Sequence, residues 1–343
     1  MLNKTHASHQ NSFTTNPKHE ILPGEFIMQV CRYCHHDQTA AGFYNSETIV
    51  PTVAAAAAYS SASGNSVELP DTDNLLELLP PDGMAFANAS KVADWLQSQA
   101  ELPAGLALHQ ADVELLVPIP RPNKLMLLAG NYASHIEEGG GTAVERAETF
   151  PYVFMKPPTT TLTNPGCSVH IPKISPDHID WELELAVVMG REAKGVSEQE
   201  ALSYVAGYTV INDISNRKFQ PNPGRKERSK DDFFDWLHGK WHDSFCPCGP
   251  CITSANAIGD PQQLDLTLHV NGQVHQDAST AQQVFPVAAV IEFISSFVTL
   301  EPGDIISTGT PAGVGNASGT YLKPGDRVEA SISSIGTLVS QVV

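Results

Sequence analysis

The segment from Asp180 to Gly190 reads DWELELAVVMG and constrains the fold more than any other part of the chain. Strand side chains alternate between two faces, so Glu182 and Glu184 are predicted to point the same way, with Cα atoms about 6.5 Å apart. The apolar run after Glu184 leaves neither face polar, which is typical of a strand covered on both sides. A third acid, Asp213, lies in the apolar run from Tyr208 to Ile214.

Two buried carboxylates at that separation need a proton or a cation between them. At an effective dielectric constant of 20 their repulsion is roughly 2 to 3 kcal/mol. Carboxylate oxygens suit a hard divalent cation, so the pattern favours a metal site. A solvated strand face that carries two charges is the alternative, and the apolar residues on both faces argue against it.

Composition and charge exclude several classes of partner. The chain has 343 residues, 41% hydrophobic and 17% charged, and is long enough to bury a sizeable core. Its formal net charge of -18 argues against nucleic acid and against an anionic membrane, because both would be repelled. The sequence has no apolar run of roughly 18 residues, and its first residues are polar. Both features predict a cytoplasmic protein.

The chain divides into three predicted parts. Residues 1–25 are polar without periodicity and are expected to be a disordered extension. Residues 26–117 are predicted to form a small N-terminal α+β domain, which ends before a proline-rich boundary at 118–122. Residues 118–343 are mostly strands separated by Gly and Pro turns, including a hairpin at Asn271-Gly272. The predicted fold class is therefore mostly β, of the α+β type.

The six cysteines form two clusters with metal-like spacing. Cys31 and Cys34 precede a His pair, and Cys246, Cys248 and Cys251 lie within six residues. A structural zinc site that joins them is one interpretation. The other, which we favour because the clusters are far apart in sequence, is reduced, buried and inert thiols.

From about residue 118 to 343 the chain resembles the fumarylacetoacetate hydrolase family. Seven ordered segments carry the resemblance: AGNYASH from Ala129, FMKPP from Phe154, DWELE from Asp180, GYTVIND from Gly207, Gly239-Lys240, FCPCGP from Phe245 and TGTPAGVG from Thr308. The resemblance implies a mixed β-sandwich roll, a homodimer, bound Mg²⁺ or Mn²⁺, and a small anionic 2-oxo acid as substrate.

The resemblance also implies roles for particular residues. The family's metal ligands fall on the same three acids, Glu182, Glu184 and Asp213. His135 fits the general base and Glu138 the acid that orients it, although Glu137 is a competing partner by spacing. The remaining matches are Lys240, which would stabilise developing negative charge, and the substrate-binding residues Arg217, Gln220 and Thr280.

The activity implied is hydrolysis of a C–C bond in a β-diketo or 2-oxo acid, such as an acylpyruvate or fumarylpyruvate, through a metal-bound enolate. The same site without attack by water would decarboxylate a 2-oxo diacid such as oxaloacetate, or isomerise keto and enol forms, as with a hydroxymuconate. A non-catalytic, metal-bound interaction protein is a hypothesis from another class. The residues alone do not separate these alternatives.

One segment departs from the family's shorter members. Residues 221–238 concentrate Lys and Arg in an otherwise acidic protein and end in aromatic residues. We hypothesise that this segment forms a pocket wall or lid that selects an anionic substrate with an apolar tail. A solvated surface loop is the alternative.

Overall fold

The structure is a computed structural model that describes residues 28–144 and 146–343. The predicted extension at 1–25 lies outside the described residues. The strands of the described part are β1 Gln29–His35, β2 Gln38–Asn45, β3 Thr48–Pro51, β4 Leu108–His109, β5 Glu114–Leu116, β6 Leu125–Ala129, β7 Tyr152–Met155, β8 Leu162–Thr163, β9 Ser168–Val169, β10 Ile179–Asp180, β11 Leu183–Met189, β12 Val205–Asn212, β13 Ser215–Asn216, β14 Cys246–Ser254, β15 Asp265–Val270, β16 Gln273–Ser279, β17 Ile305–Ser307, β18 Arg327–Ile332 and β19 Gly336–Val342.

The helices are shorter and lie mostly between strands. The α-helices are α1 Thr52–Ser63, α2 Phe86–Ser98, α3 Ala133–Glu138, α4 Pro158–Thr161, α5 Glu198–Ala201, α6 Asp231–Gly239, α7 Ala255–Ile258, α8 Val287–Phe297 and α9 Gly315–Ser318, and 3-10 turns span Leu75–Leu78, Gln110–Asp112, Arg146–Glu148, Leu202–Tyr204 and Thr280–Gln282. No helix within 28–144 or 146–343 has the length and apolar content needed to cross a membrane.

Two large sheets pack around the core. The larger sheet has the order β4-β3-β2-β1-β14-β12-β11-β17-β6-β7, with β5 and β8 on side branches, and the second has the order β16-β15-β18-β19-β9. Most pairs are antiparallel, but β17 pairs with β6 in parallel. The predicted mixed β-sandwich of the α+β type is therefore confirmed.

The central strand β11 is covered on both faces, as its sequence predicts. Leu183, Leu185 and Val187 pack in a cluster with β15, β18 and α8. Ala186 and Val188 pack in a second cluster with α1 and α2. Because side chains alternate along a strand, Glu182 and Glu184 face the side of this second cluster.

The N-terminal strands extend the same sheet as the strands that follow them. Val30 of β1 lies opposite Ile252 of β14 in an antiparallel ladder. Continuous strand pairing joins the residues on either side of residue 117. The division of the chain into two domains at that point stays a prediction. The predicted hairpin turn is confirmed, since Asn271 and Gly272 both have positive φ, at 52° and 79°.

Candidate functional site

The pairing of β11 with β12 brings three acids together. Leu183 lies opposite Asn212, so Glu182 and Asp213 are neighbours just beyond that pair, and the Asp213 N–H donates to the Glu182 carbonyl at 2.8 Å. Carboxylate oxygens of Glu182, Glu184 and Asp213 all lie within 4.8 Å of one another, and the three residues are buried. We call these three residues the carboxylate cluster. At an effective dielectric constant of 20, each pair of charges in it would repel by about 3 to 4 kcal/mol.

Lys240 bridges two members of the carboxylate cluster. Its Nζ donates to Glu182 Oε2 at 2.7 Å and to Asp213 Oδ2 at 2.6 Å. Burial alone would lower the pKa of Lys240, but the charges of Asp213 and Glu182 outweigh it and raise the pKa above its ordinary value. The ammonium therefore stays charged, and one of its three N–H donors remains for another acceptor.

Lys156 holds the other side of Asp213. Its fully buried Nζ bonds Asp213 Oδ1 and also donates to the carbonyls of Ile214 at 2.9 Å and Phe245 at 2.6 Å. All three ammonium donors are thereby used. Lys156 therefore fixes the orientation of the Asp213 carboxylate rather than reaching toward a ligand.

Arg217 links the carboxylate cluster to a fourth buried acid, Asp180. Its Nε donates to Asp180 Oδ2 at 2.7 Å, and its terminal nitrogen forms an ion pair with Glu182 Oε1 at 2.6 Å. Asp180 in turn accepts from the backbone N–H groups of Trp181 at 2.8 Å and Gly315 at 2.6 Å. The guanidinium is thus held between two fixed carboxylates.

Glu184 is the acid of the cluster that touches no cationic side chain within the described residues. Its Oε2 accepts from Ser307 Oγ at 2.6 Å and from the Gly309 N–H at 2.8 Å, while its buried Oε1 has no hydrogen-bond partner there. Burial and the charges of Asp213 and Glu182 raise the pKa of Glu184 to about 8. An unpartnered, buried carboxylate oxygen is costly and therefore points to a missing ligand.

The charge balance and the donor atoms fit a divalent cation. Four buried acids, the carboxylate cluster and Asp180, face the buried Lys156 and Lys240 and the partly buried Arg217, so one acid, Glu184, has no cationic partner among the described residues. Three converging carboxylates are the oxygen ligands that Mg²⁺ and Mn²⁺ prefer. The residues that would hold such an ion are those of the carboxylate cluster.

His135 and Glu138 form a pair on the short helix α3. They are three residues apart and so share one helix face, and His135 Nδ1 lies 2.8 Å from Glu138 Oε1. The second oxygen of Glu138 accepts from the Gly313 N–H at 2.9 Å, which fixes the carboxylate. Glu137 is exposed on the other side of the helix, so the geometry selects Glu138 as the partner of His135.

The His135 side chain acts electrostatically on the carboxylate cluster. Burial alone would raise the pKa of Glu182, but the charges of Lys240, Arg217 and His135 lower it below its ordinary value. The histidine on α3 is therefore near enough to the cluster to influence its ionisation.

The predicted substrate-binding residues have different surroundings. Arg217 contacts the carboxylate cluster directly, whereas Gln220 is exposed on the following loop. The Thr280 hydroxyl accepts from the Leu264 N–H at 2.9 Å and donates to the Leu264 carbonyl at 3.3 Å, so its hydrogen bonds are internal. The substrate-binding roles of all three stay predictions.

Sequence reasoning missed Lys156 and Asp180 as parts of the site. Both lie in segments that carry the family resemblance, but the residues of these segments do not indicate that the two charged side chains are buried. The signal that could have found Lys156 was the number of acids predicted to be buried, because buried acids need cations beside them. Sequence reasoning included Trp236 in the hypothesised wall or lid at 221–238 but did not predict that Trp236 and Phe154 lie beside Lys240, with ring centroids 5.9 and 5.3 Å from its Nζ.

The cysteines do not form a metal site within the described residues. All six are free thiols, and the only ligand group found in that part of the chain is the carboxylate cluster. Burial raises the pKa of the Cys246 thiol to about 12, so this thiol stays protonated and unreactive. The predicted burial is confirmed for Cys31, Cys246, Cys248 and Cys251, whereas Cys34 is half-buried, and the reduced state of the thiols stays a prediction.

The chain is similar to a known protein family and to several proteins named as enzymes. Residues 124–343 match the model of the fumarylacetoacetate (FAA) hydrolase C-terminal domain. The mitochondrial oxaloacetate tautomerase of Rattus norvegicus is 37% identical over 246 residues, which cover 71% of this chain and 73% of that protein. The 2,4-didehydro-3-deoxy-L-rhamnonate hydrolase of Sphingomonas sp. (strain SKA58) is 40% identical over 242 residues, which cover 70% and 80%.

Solved structures agree with this comparison. Maleylpyruvate hydrolase from Sphingobium sp. SYK-6, in complex with manganese(II) and pyruvate, aligns with a TM-score of 0.65 and 28% identity over 92% of this chain and 99% of that one. Fumarylacetoacetate hydrolase from Exiguobacterium antarcticum aligns with a TM-score of 0.68 and 25% identity over the same shares. The chain belongs to the fumarylacetoacetate hydrolase family.

Proposed function

We propose that the chain is a divalent-metal-dependent enzyme that hydrolyses a C–C bond in a 2,4-diketo acid of the acylpyruvate or fumarylpyruvate type. The observation that supports this most is the convergence of three buried carboxylates, one with an unpartnered oxygen, beside Lys240. His135, which pairs with Glu138, is near enough to lower the pKa of Glu182. A site of this kind joins a cation, a base and a fixed ammonium.

A Mg²⁺ or Mn²⁺ ion held by the carboxylate cluster would supply positive charge that polarises the 2-oxo carboxylate and favours enolate character in the leaving group. His135 takes the proton from the attacking water at Nε2, because its Nδ1 is bound to Glu138. A positioned base of this kind contributes about 10² to 10⁴ in rate. Glu138, fixed by Gly313, holds the imidazole in the tautomer that can accept a proton at Nε2.

Lys240 receives the oxygen that becomes negative when water adds to the distal ketone. Two of its donors are fixed on Glu182 and Asp213, so the third is oriented in advance for that oxygen. The C–C bond then breaks, its electron pair goes to the pyruvate fragment as an enolate, and the acyl group leaves as a carboxylic acid. A proton added to the enolate carbon completes the formation of pyruvate.

Oxaloacetate tautomerisation is the second candidate. Relatives that carry that name are 34 to 37% identical to this chain. The His135–Glu138 pair suits it, because the reaction only moves a proton between carbon and oxygen. Decarboxylation of a 2-oxo diacid and isomerisation of a hydroxymuconate-type acid would use the same residues.

The test is turnover of acetylpyruvate, fumarylpyruvate and oxaloacetate by EDTA-treated protein with Mg²⁺ or Mn²⁺ added back. We expect pyruvate release from the two diketo acids that depends on the metal and is lost in His135→Ala. Tautomerisation of oxaloacetate without cleavage of either diketo acid would favour the second candidate. Absence of any metal-dependent reaction would favour the non-catalytic binding protein. Homodimer formation is a further part of the proposal, and sedimentation analysis tests it.

A further inference from the structure

Helix α6 carries an aromatic stripe that leads from the surface to Lys240. Phe233, Trp236 and Lys240 are spaced i, i+3 and i+7 and therefore share one helix face, since Lys240 continues the helical backbone as its C-cap. Phe233 is 54% exposed, Trp236 is half-buried and Lys240 is 3% exposed. The stripe thus descends from solvent to the carboxylate cluster.

Phe154 of β7 packs against this stripe. Its ring is edge-on to Trp236, with centroids 5.0 Å apart. The Lys240 Nζ is 5.3 Å from the Phe154 centroid and 5.9 Å from the Trp236 centroid. We call Phe154 and Trp236 the aromatic pair. A substrate oxygen that accepts the third Lys240 donor must lie close to these rings.

The basic residues of the segment before α6 are partly neutralised by the helix itself. Arg225 forms ion pairs with Asp231 and Asp235, and Arg228 pairs with Asp231 at 3.0 Å. Their guanidinium groups are therefore already engaged with carboxylates. A second carboxylate on a substrate would have to compete with these acids for them.

We propose that the aromatic pair is the wall against which the acyl group of the substrate lies, so that the enzyme favours 2,4-diketo acids with a flat, uncharged acyl group, such as an aroylpyruvate. The inference rests on the proposed function and names its substrate class. In such a substrate the aryl substituent of the acyl group is bonded to the carbonyl carbon whose oxygen Lys240 receives. The aryl substituent is therefore only two bonds from that oxygen, and the adjacent rings are the surface it meets.

The test compares benzoylpyruvate, acetylpyruvate and fumarylpyruvate as substrates of the wild-type protein, Trp236→Ala, Trp236→Phe and Phe234→Ala, all with Mg²⁺. We expect wild type to have its highest kcat/KM with benzoylpyruvate. Trp236→Ala should lower that value about 10- to 50-fold and lower the value for acetylpyruvate less than about threefold. Trp236→Phe should keep most of the preference, and Phe234→Ala, which removes an exposed ring from the same helix, should keep all of it.

The change in the ratio of the two kcat/KM values separates specificity from structure. An equal loss for both substrates in Trp236→Ala would show that Trp236 only supports the position of Lys240, and the inference would be wrong. A wild-type preference for fumarylpyruvate, or a change of oligomeric state in Trp236→Ala with the preference retained, would also overturn it. Thermal unfolding of each variant checks the fold.

Failure of the proposed function has a different signature. If the wild-type protein cleaves none of the three acids, the inference is judged from binding, by calorimetric Kd values for benzoylpyruvate and acetylpyruvate with Mg²⁺. If benzoylpyruvate binds more tightly than acetylpyruvate and Trp236→Ala abolishes the difference, the role of the aromatic pair is supported although the proposed hydrolysis is not. Equal Kd values for the two acids would refute it.

Discussion

Replacement of Glu184 by glutamine removes the one acid of the carboxylate cluster that no cationic side chain of the described residues contacts. Glutamine keeps the shape and an oxygen that accepts from Ser307 and Gly309. Its amide NH₂ would occupy the position of the unpartnered Oε1, at a cost of about 1 to 3 kcal/mol that does not depend on pH. The substitution therefore isolates the contribution of one ionisation to stability.

The magnitude follows from the pKa of Glu184. Its ordinary value is 4.5, and burial together with the charges of Asp213 and Glu182 raises it to about 8. The folded protein thus holds a proton that the unfolded chain has released, so the free energy of unfolding falls as pH rises from 4.5 to about 8. At about 1.36 kcal/mol per pH unit, the metal-free protein loses about 3 kcal/mol by pH 7 and about 5 kcal/mol above pH 8.

The assay is urea unfolding at pH 5, 6, 7 and 8 in EDTA, for wild type, Glu184→Gln and the exposed control Glu192→Gln. We expect the wild-type free energy of unfolding to fall with pH relative to Glu184→Gln by about 3 to 5 kcal/mol, and the control to follow wild type. Saturating Mg²⁺ should stabilise wild type, by about 2.7 kcal/mol at 100 times its Kd, and stabilise Glu184→Gln much less. Parallel pH curves for wild type and Glu184→Gln, or equal stabilisation by Mg²⁺, would refute the reasoning.

Other substitutions test the remaining parts of the site. In steady-state kinetics, His135→Ala should lower kcat about 10² to 10⁴-fold. Glu138→Gln should lower kcat less, and Glu137→Gln should leave it unchanged. Equal losses in the two glutamine variants would contradict the pairing of His135 with Glu138. Lys156→Met should lower the free energy of unfolding by about 3 to 5 kcal/mol in denaturant titrations, because it leaves the charge of Asp213 buried and less compensated, and a loss below 1 kcal/mol would contradict that role.

The alternation of side chains along the strand predicted the two glutamates of the carboxylate cluster, because their relative position is set by neighbouring residues. Glu182 and Glu184 are two residues apart on a strand with apolar residues on both faces, so their common direction and burial follow from the pleat. Asp213 comes directly after another strand, β12, and its position depends on the register of Leu183 against Asn212, which the residues alone do not fix. The spacing around His135 allowed two partners, and only the direction of α3 selects Glu138.

Other parts were hidden by residues that usually break regular structure. Strand β14 contains Pro247, Gly249 and Pro250, so its nine residues do not have a strand pattern, although all are buried at the centre of the large sheet. The charged start of α6 masked the spacing that aligns Trp236 with Lys240. In both cases tertiary packing outweighs the local preference of the sequence.

The carboxylate cluster and the aromatic pair depend on different parts of the chain, and this separation has a measurable consequence. The register of β11 and β12 sets the carboxylate cluster, whereas Trp236 belongs to α6 and lies beside Lys240, which contacts the cluster. Loss of the Trp236 ring leaves the hydrogen bonds of Glu184 and the contacts of Lys156 in place. Trp236→Ala should therefore keep the stabilisation by Mg²⁺ that Glu184→Gln loses. If both substitutions abolished it, the aromatic wall and the metal site would be one cooperative unit, and substrate preference could not change without a change in metal affinity.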